Sequence, residues 1–171
     1  MILAVFLLQN LGRVWWCKQG DYAPWSWSVL SAHNSQHFID PYTFTHILHG
    51  ILFFWIASLI FGKLPIVWRL LIAISVESAW EVAENTNAVI QRYREATISL
   101  DYFGDSIINS LADILSFAFG FWLANKIRFW LSLAFFVLVE TILLFWIRDS
   151  LILNIIMLLY PLDAIKKWQG G

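Results

Sequence analysis

Apolar residues run along this chain in blocks, and the block lengths, with the residues that interrupt them, define the elements. The first block, residues 1–11 (MILAVFLLQNL), is shorter than the roughly 20 residues that cross a bilayer and predicts a short first helix. Residues 12–40 hold glycines, Pro24 and four tryptophans without a sustained helical period. They predict a loop at a membrane interface, where Trp15, Trp16, Trp25 and Trp27 keep ring in hydrocarbon and indole N–H in water. Asp40 followed by Pro41 is a helix start, since aspartate caps and proline fits the first turn. The apolar run behind it predicts a helix over about 41–62, and a tight turn through Pro65 leads to another over about 66–84. Polar residues 85–104 predict a loop with a short surface helix. Later runs predict helices over about 105–125, 129–147 and 150–165. The expected fold is all-α, an integral membrane bundle of five or six transmembrane helices forming one domain over residues 1–171.

Composition agrees with the pattern. The chain is 60% hydrophobic and only 13% charged, against about 25% charged in an average soluble domain. Its net charge of -1, with no basic run, excludes a nucleic-acid partner on electrostatic grounds. Cys17 is the only cysteine, which rules out an internal disulfide and a thiolate cage. It reads as incidental, and metal ligands are expected to be nitrogen and oxygen. With Lys63, Arg69, Lys126, Arg128, Lys166 and Lys167 on one side, six basic residues oppose five (Arg13, Lys18, Arg92, Arg94 and Arg148). The positive-inside rule then puts the six in the cytoplasm and the polar residues on the outer face.

Those polar residues carry the candidate chemistry. His33, His37, Asp40, His46 and His49 gather at the mouth of the helix beginning at Pro41 and read as a divalent-metal site, such as zinc, completed by carboxylates. Glu77, Glu81 and Glu84 share one helical stripe, and Asp105, Asn109 and Asp113 share another that continues toward Gly120. Glu140 and Arg148 form a third. Glu77, Glu81 and Asp113 are candidate catalytic acids and bases, since ionisable groups inside a bilayer are retained at a cost. Arg92, Arg94, Arg148 and Asn109 are candidate substrate binders, the guanidinium matching phosphate or carboxylate. Each has a plainer alternative. The loop histidines can be interfacial hydrogen-bonders, Asp40, Asp105 and Asp149 can be helix caps, the arginines can bind lipid headgroups, and the buried acids can form a structural polar network.

Four stretches in succession, NSQHFIDPYTFTHILHG, SAWEVAENT, QRYREATISLDYFGDSIINSLADI and IRDSLILNIIMLLYPLDAIKKWQ, resemble the blocks of uncharacterised protein family 0314, small bacterial multi-pass inner-membrane proteins. The resemblance covers residues 12–169 and implies a plasma-membrane location without implying a reaction. More distantly, an acid and histidine opening one helix, then Glu77 and Glu81, then Asp105, Asn109 and Asp113 with Gly120, is similar to VanZ-like membrane proteins and points toward the cell envelope.

The function expected from the sequence is metal-assisted hydrolysis or group transfer on a lipid or lipid-linked envelope substrate, performed by an outward-facing site. The alternative is a non-catalytic lipid or ion binder, or a proton-coupled transporter using the acid stripes as a path. Both take the bilayer as partner.

Overall fold

Caps written into the sequence start the long helices. In the computed structural model, which describes residues 1–97, 99 and 101–170, helix α1 spans Ile2–Asn10 and α2 spans Pro41–Ile60. Asp40 accepts the Thr43 N–H at 3.0 Å while Thr43 Oγ1 accepts the Asp40 N–H at 3.0 Å, and Pro41 fills the first helical position. After a turn ending at Pro65, α3 runs Ile66–Glu84 and the short α4 Asn87–Ala96. Ser106 then opens α5, Ile107–Lys126, by accepting the Asn109 N–H at 3.2 Å. α6 covers Phe129–Trp146. The expected last helix over 150–165 is two helices, α7 Leu151–Leu159 and α8 Asp163–Gln169. Pro161 explains the break, since it supplies no N–H and its ring clashes with the preceding turn. Among the described residues no strand forms beyond one Trp25–Ile39 bridge. Of the polar stretch 85–104, positions 98 and 100 lie outside the described residues.

α2 and α5 are the central pair. Their backbones touch because both contact points are glycine: a Cβ on Gly50 would overlap the Phe117 carbonyl, and one on Gly120 would overlap the Ile47 carbonyl. This contact carries His46 and His49 to the side of Asp113. Below it Ala57, Ala73, Phe117 and Phe121 pack with Phe54, Leu70 and Ile74 to join α2, α3 and α5. Gly120→Ala is expected to force the helices apart and cost about 1–3 kcal/mol, as overpacking does. A thermal midpoint in mild detergent equal to that of the unaltered chain would contradict this.

Three helices, α2, α5 and α6, are long and apolar enough to cross a membrane. α3 has the length but carries charge. α1 and α7 have nine residues each, about half of what a crossing needs. The last segment does not cross to the far side. Lys166 donates to the Glu95 carbonyl and Arg148 donates to the Trp168 carbonyl, which holds α8 at the end of the bundle where α2 begins. Lys166 and Lys167 therefore join Arg13, Lys18, Arg92, Arg94 and Arg148, and the charge balance becomes seven against four (Lys63, Arg69, Lys126 and Arg128). The charge argument for an outward-facing site falls with that move.

Candidate functional site

The first half of α2, the second half of α3 and the first half of α5 each place ionisable groups at one level. His46 is their centre. Its Nδ1 lies 2.8 Å from Glu77 Oε1 and 3.6 Å from Glu81 Oε1, and its Nε2 lies 3.9 Å from Asp113 Oδ2. His49, one turn further along α2, places Nδ1 2.9 Å from Glu77 Oε2 and packs its ring on Phe53 and Phe117. Glu77, Glu81 and Asp113 are buried. Neither oxygen of Glu81 nor Oδ1 of Asp113 has a hydrogen-bond partner among the described residues. Buried polar atoms are nearly always paired, so carboxylate oxygens in this state have capacity for a further partner. Both triads, His46–His49–Glu77 and His46–Glu81–Asp113, hold their donor atoms within 4.8 Å of one another.

A cavity of about 280 Å³ adjoins this cluster. His46, His49, Glu84, Asp105 and Asp113 line its polar side. Leu151, Ile155, Leu158 and Leu159 of α7 supply apolar lining, and Leu159 is largely exposed. The volume sits at the low end for ligand pockets and admits a headgroup or a short acyl segment, not a whole lipid.

The rim beside the cavity is a continuous hydrogen-bond network. Asp105 accepts from Asn85 Nδ2 at 2.7 Å and from the Tyr102 hydroxyl at 3.0 Å, while Asn85 Oδ1 accepts the Asp105 N–H. Burial raises the Asp105 carboxyl above its ordinary range even against these bonds. Burial likewise pushes Asp40 up to about 6, although the Thr43 N–H opposes the shift. Asn109 donates to the His37 carbonyl at 2.8 Å and to Asp40 Oδ2 at 3.3 Å, tying the start of α5 to the start of α2.

Several residues singled out from the sequence stand apart from this cluster. The four histidines form two groups: His46 and His49 here, His33 and His37 in the loop between α1 and α2, with Cys17. Asp40 is the α2 cap and belongs to neither group. Asn109 bonds the chain itself. The three arginines expected to hold substrate brace the structure: Arg92 Nε donates to the Leu158 carbonyl at 3.0 Å, the Arg94 guanidinium lies 5.5 Å over the Phe103 ring, and Arg148 reaches Trp168. None is among the cavity's described lining residues. Asp105 and Asp149 are not caps, since Ser106 and Ser150 do that work. Glu140, for which the sequence offered no capping role, accepts the Leu151 and Ile152 N–H groups at 2.9 and 3.4 Å and so caps α7 from α6. The tyrosines facing the cavity, Tyr42, Tyr93 and Tyr102, were not singled out at all.

Fold and site together define an all-helical protein with three helices long and apolar enough to cross a membrane and a buried histidine–carboxylate cluster. Residues 8–171 match the family described as Protein of unknown function (DUF2585). The chain is 48% identical to a UPF0314 protein of Rhizobium meliloti (strain 1021), over 99% of its own length and 87% of that relative. It is 44% identical to a UPF0314 protein of Paracoccus denitrificans and 46% identical to one of Brucella anthropi, in each case over 100% of this chain and 89% of the relative. The chain belongs to this family, UPF0314. No solved structure matches it.

Proposed function

We propose that the chain is a multi-pass protein of the bacterial plasma membrane that binds a divalent metal, zinc being the natural candidate, among His46, His49, Glu77, Glu81 and Asp113. There it hydrolyses or transfers a group on a lipid or lipid-linked substrate. The observation that carries this reading is the set of buried carboxylate oxygens without a hydrogen bond, both of Glu81 and Oδ1 of Asp113, around a histidine beside a half-apolar cavity. Four crossings, α2, α3, α5 and α6, account for the long helices, with α3 turning its glutamates inward. The seven-to-four charge balance favours the cytoplasmic side for the site end.

A metal held there would polarise the scissile ester or phosphoester and lower the pKa of a water. Asp113 lines the cavity whereas Glu77 and Glu81 do not. Asp113 is therefore the residue to take the water's proton as oxygen attacks and to return it to the departing alcohol. His46, His49 and Glu77 act as ligands, and Glu81 completes the set. The aliphatic wall of α7 seats the chain of the substrate, and the tyrosine hydroxyls face its polar end.

One feature weighs against the transporter alternative. Beyond His49 the bundle is packed by Phe53, Phe54, Phe117 and Phe121, with Ala57 and Ala73, and only Lys63, Arg69, Lys126 and Arg128 stand at the far end. A proton path would have to cross that apolar layer unaided. The test is mass spectrometry of bacterial lipid extract incubated with purified protein in mild detergent. A product formed by the unaltered chain with added zinc, and absent with chelator and in Asp113→Asn, is expected. An unchanged lipid profile under all conditions would overturn the reaction, leaving metal binding to be judged separately.

A further inference from the structure

Outside the bundle, the loop between α1 and α2 collects a second set of donor atoms. Cys17 Sγ lies 3.5 Å from His33 Nδ1, and His33 Nδ1 lies 3.2 Å from His37 Nε2. Asp21 Oδ2 stands 3.8 Å from the first nitrogen and 4.0 Å from the second. A tetrahedral zinc with Zn–N near 2.05 Å and Zn–S near 2.3 Å separates its nitrogens by about 3.3 Å and sulfur from nitrogen by about 3.6 Å. The chain already holds His33 Nδ1 at those separations from the sulfur and from the His37 nitrogen, and all three donors lie within 4.8 Å of one another.

The surroundings orient His37 and Asp21 as metal ligands are oriented. His37 is fully buried, and its Nδ1 lies 2.6 Å from the Ala23 carbonyl, to which it donates. That bond fixes the proton on Nδ1 and leaves Nε2 as a bare lone pair aimed at His33 and Asp21. Asp21 is fixed the same way, its Oδ1 accepting the Ala23 N–H at 2.9 Å so that Oδ2 faces the histidines. Trp16 donates its indole N–H to the Asp21 carbonyl at 2.7 Å and sets its ring edge-on to His37. Cys17 Sγ, His33 Nδ1 and His37 Nε2 thus gather within 4.8 Å of one another, with Asp21 Oδ2 beside the two nitrogens. A cation satisfies the whole set at once. The donors mix sulfur, imidazole and carboxylate, which suits zinc rather than magnesium or calcium.

We infer that Cys17, Asp21, His33 and His37 form a second, structural zinc site that fastens the loop of residues 12–40 over the start of α5. The loop's backbone is the cover. Val14 O and Ser35 O accept the Ile107 and Ser106 N–H groups at 2.8 and 3.0 Å, and the His37 carbonyl accepts from Asn109. Asn34 and Ser35, between the two histidines, line the cavity. Zinc at this place fixes the cavity rim and performs no chemistry on substrate, so the inference is independent of the reaction proposed above.

Cobalt tests it, because tetrahedral cobalt bound by a thiolate gives a sulfur-to-metal charge-transfer band in the near ultraviolet that imidazole and carboxylate cannot give. The full chain, purified in mild detergent and stripped of metal, is titrated with cobalt chloride alone. The band is expected to reach full height within two equivalents, zinc to abolish it, and Cys17→Ser to lack it. His33→Ala is expected to weaken cobalt binding at the loop at least tenfold, and Glu81→Gln, which keeps the shape of the bundle cluster, to leave the band intact. Failure of the unaltered chain to show the band overturns the site, whether or not the variants fold. So does a band that survives in Cys17→Ser.

Discussion

His46→Ala is expected to empty the metal site between α2, α3 and α5 and to lower the stability of the folded chain. Among the described residues the imidazole is the one group that reaches all three buried carboxylates, with contacts of 2.8, 3.6 and 3.9 Å to Glu77, Glu81 and Asp113. Removing it leaves those acids with His49 alone, and His49 contacts only Glu77 among them. Breaking a buried pair by deleting one partner typically costs about 3–5 kcal/mol, because the remaining charge stays buried without compensation. Glu81→Gln is the gentler companion, keeping the shape while removing one ligand charge. Outer-shell changes at metal sites cost about 10–100-fold in affinity, and loss of a direct ligand is expected to exceed 100-fold. The measurement is zinc per chain by elemental analysis, with affinity from competition against a chelator. Two equivalents are expected in the unaltered chain and one in His46→Ala, the remaining one being that of the loop. Zinc content and affinity unchanged in Glu81→Gln would sink the bundle site even if the alanine variant failed to fold.

The sequence carries local signals well and distant ones poorly. The start of α2 was legible because its cap, Asp40, and its first-turn proline adjoin the helix they serve. The stripe of Glu77 and Glu81 and the position of Asp113 followed from helical period alone, and Gly120 marked the contact that brings α5 against α2. Glu140 was misread for the opposite reason: the helix it caps begins eleven residues on, beyond the end of its own helix, and no local pattern announces that. Grouping all four histidines treated closeness in sequence as closeness in space. His37 lies in a loop that turns through Ser35 at φ 56, and the turn brings it to Cys17 rather than to His46. A single cysteine has no spacing to read, so Cys17 and Asp21 gave no sign of their partners. The arginines were read from charge, but a guanidinium binds substrate only if it faces the cavity, and Arg92 is held by the backbone of α7. Pro161 was a sufficient signal for the end of α7, and the short apolar run before it was too brief to be a crossing.

Between about pH 4 and 6 the folded chain is expected to lose stability as pH rises, and Asp149→Asn to remove part of that slope. Asp149 sits between α6 and α7, accepting the Ser150 N–H at 2.9 Å, the Tyr42 hydroxyl at 3.2 Å and Asn154 Nδ2 at 3.5 Å. Burial nonetheless raises its pKa from 3.8 to about 6, with Glu140 adding repulsion, and Asp40 is raised to the same value. Below pH 4 both acids are protonated in either state and contribute no difference. Above it the unfolded chain releases protons that the folded chain retains until about pH 6, so the unfolded form is increasingly favoured across that window. A shift of this size corresponds to about 3 kcal/mol per group, reached by pH 6 and constant above it. Asparagine at 149 keeps an oxygen for the Ser150 N–H, turns its amide N–H toward the Tyr42 hydroxyl, which can accept, and has no proton to lose. Thermal midpoints in mild detergent, taken from pH 4 to 7 for both chains, are expected to converge at pH 4 and to separate in favour of the variant by pH 6.5. Parallel curves, or a midpoint of the unaltered chain that rises through this range, would show that Asp149 ionises in the folded state as readily as in the unfolded one.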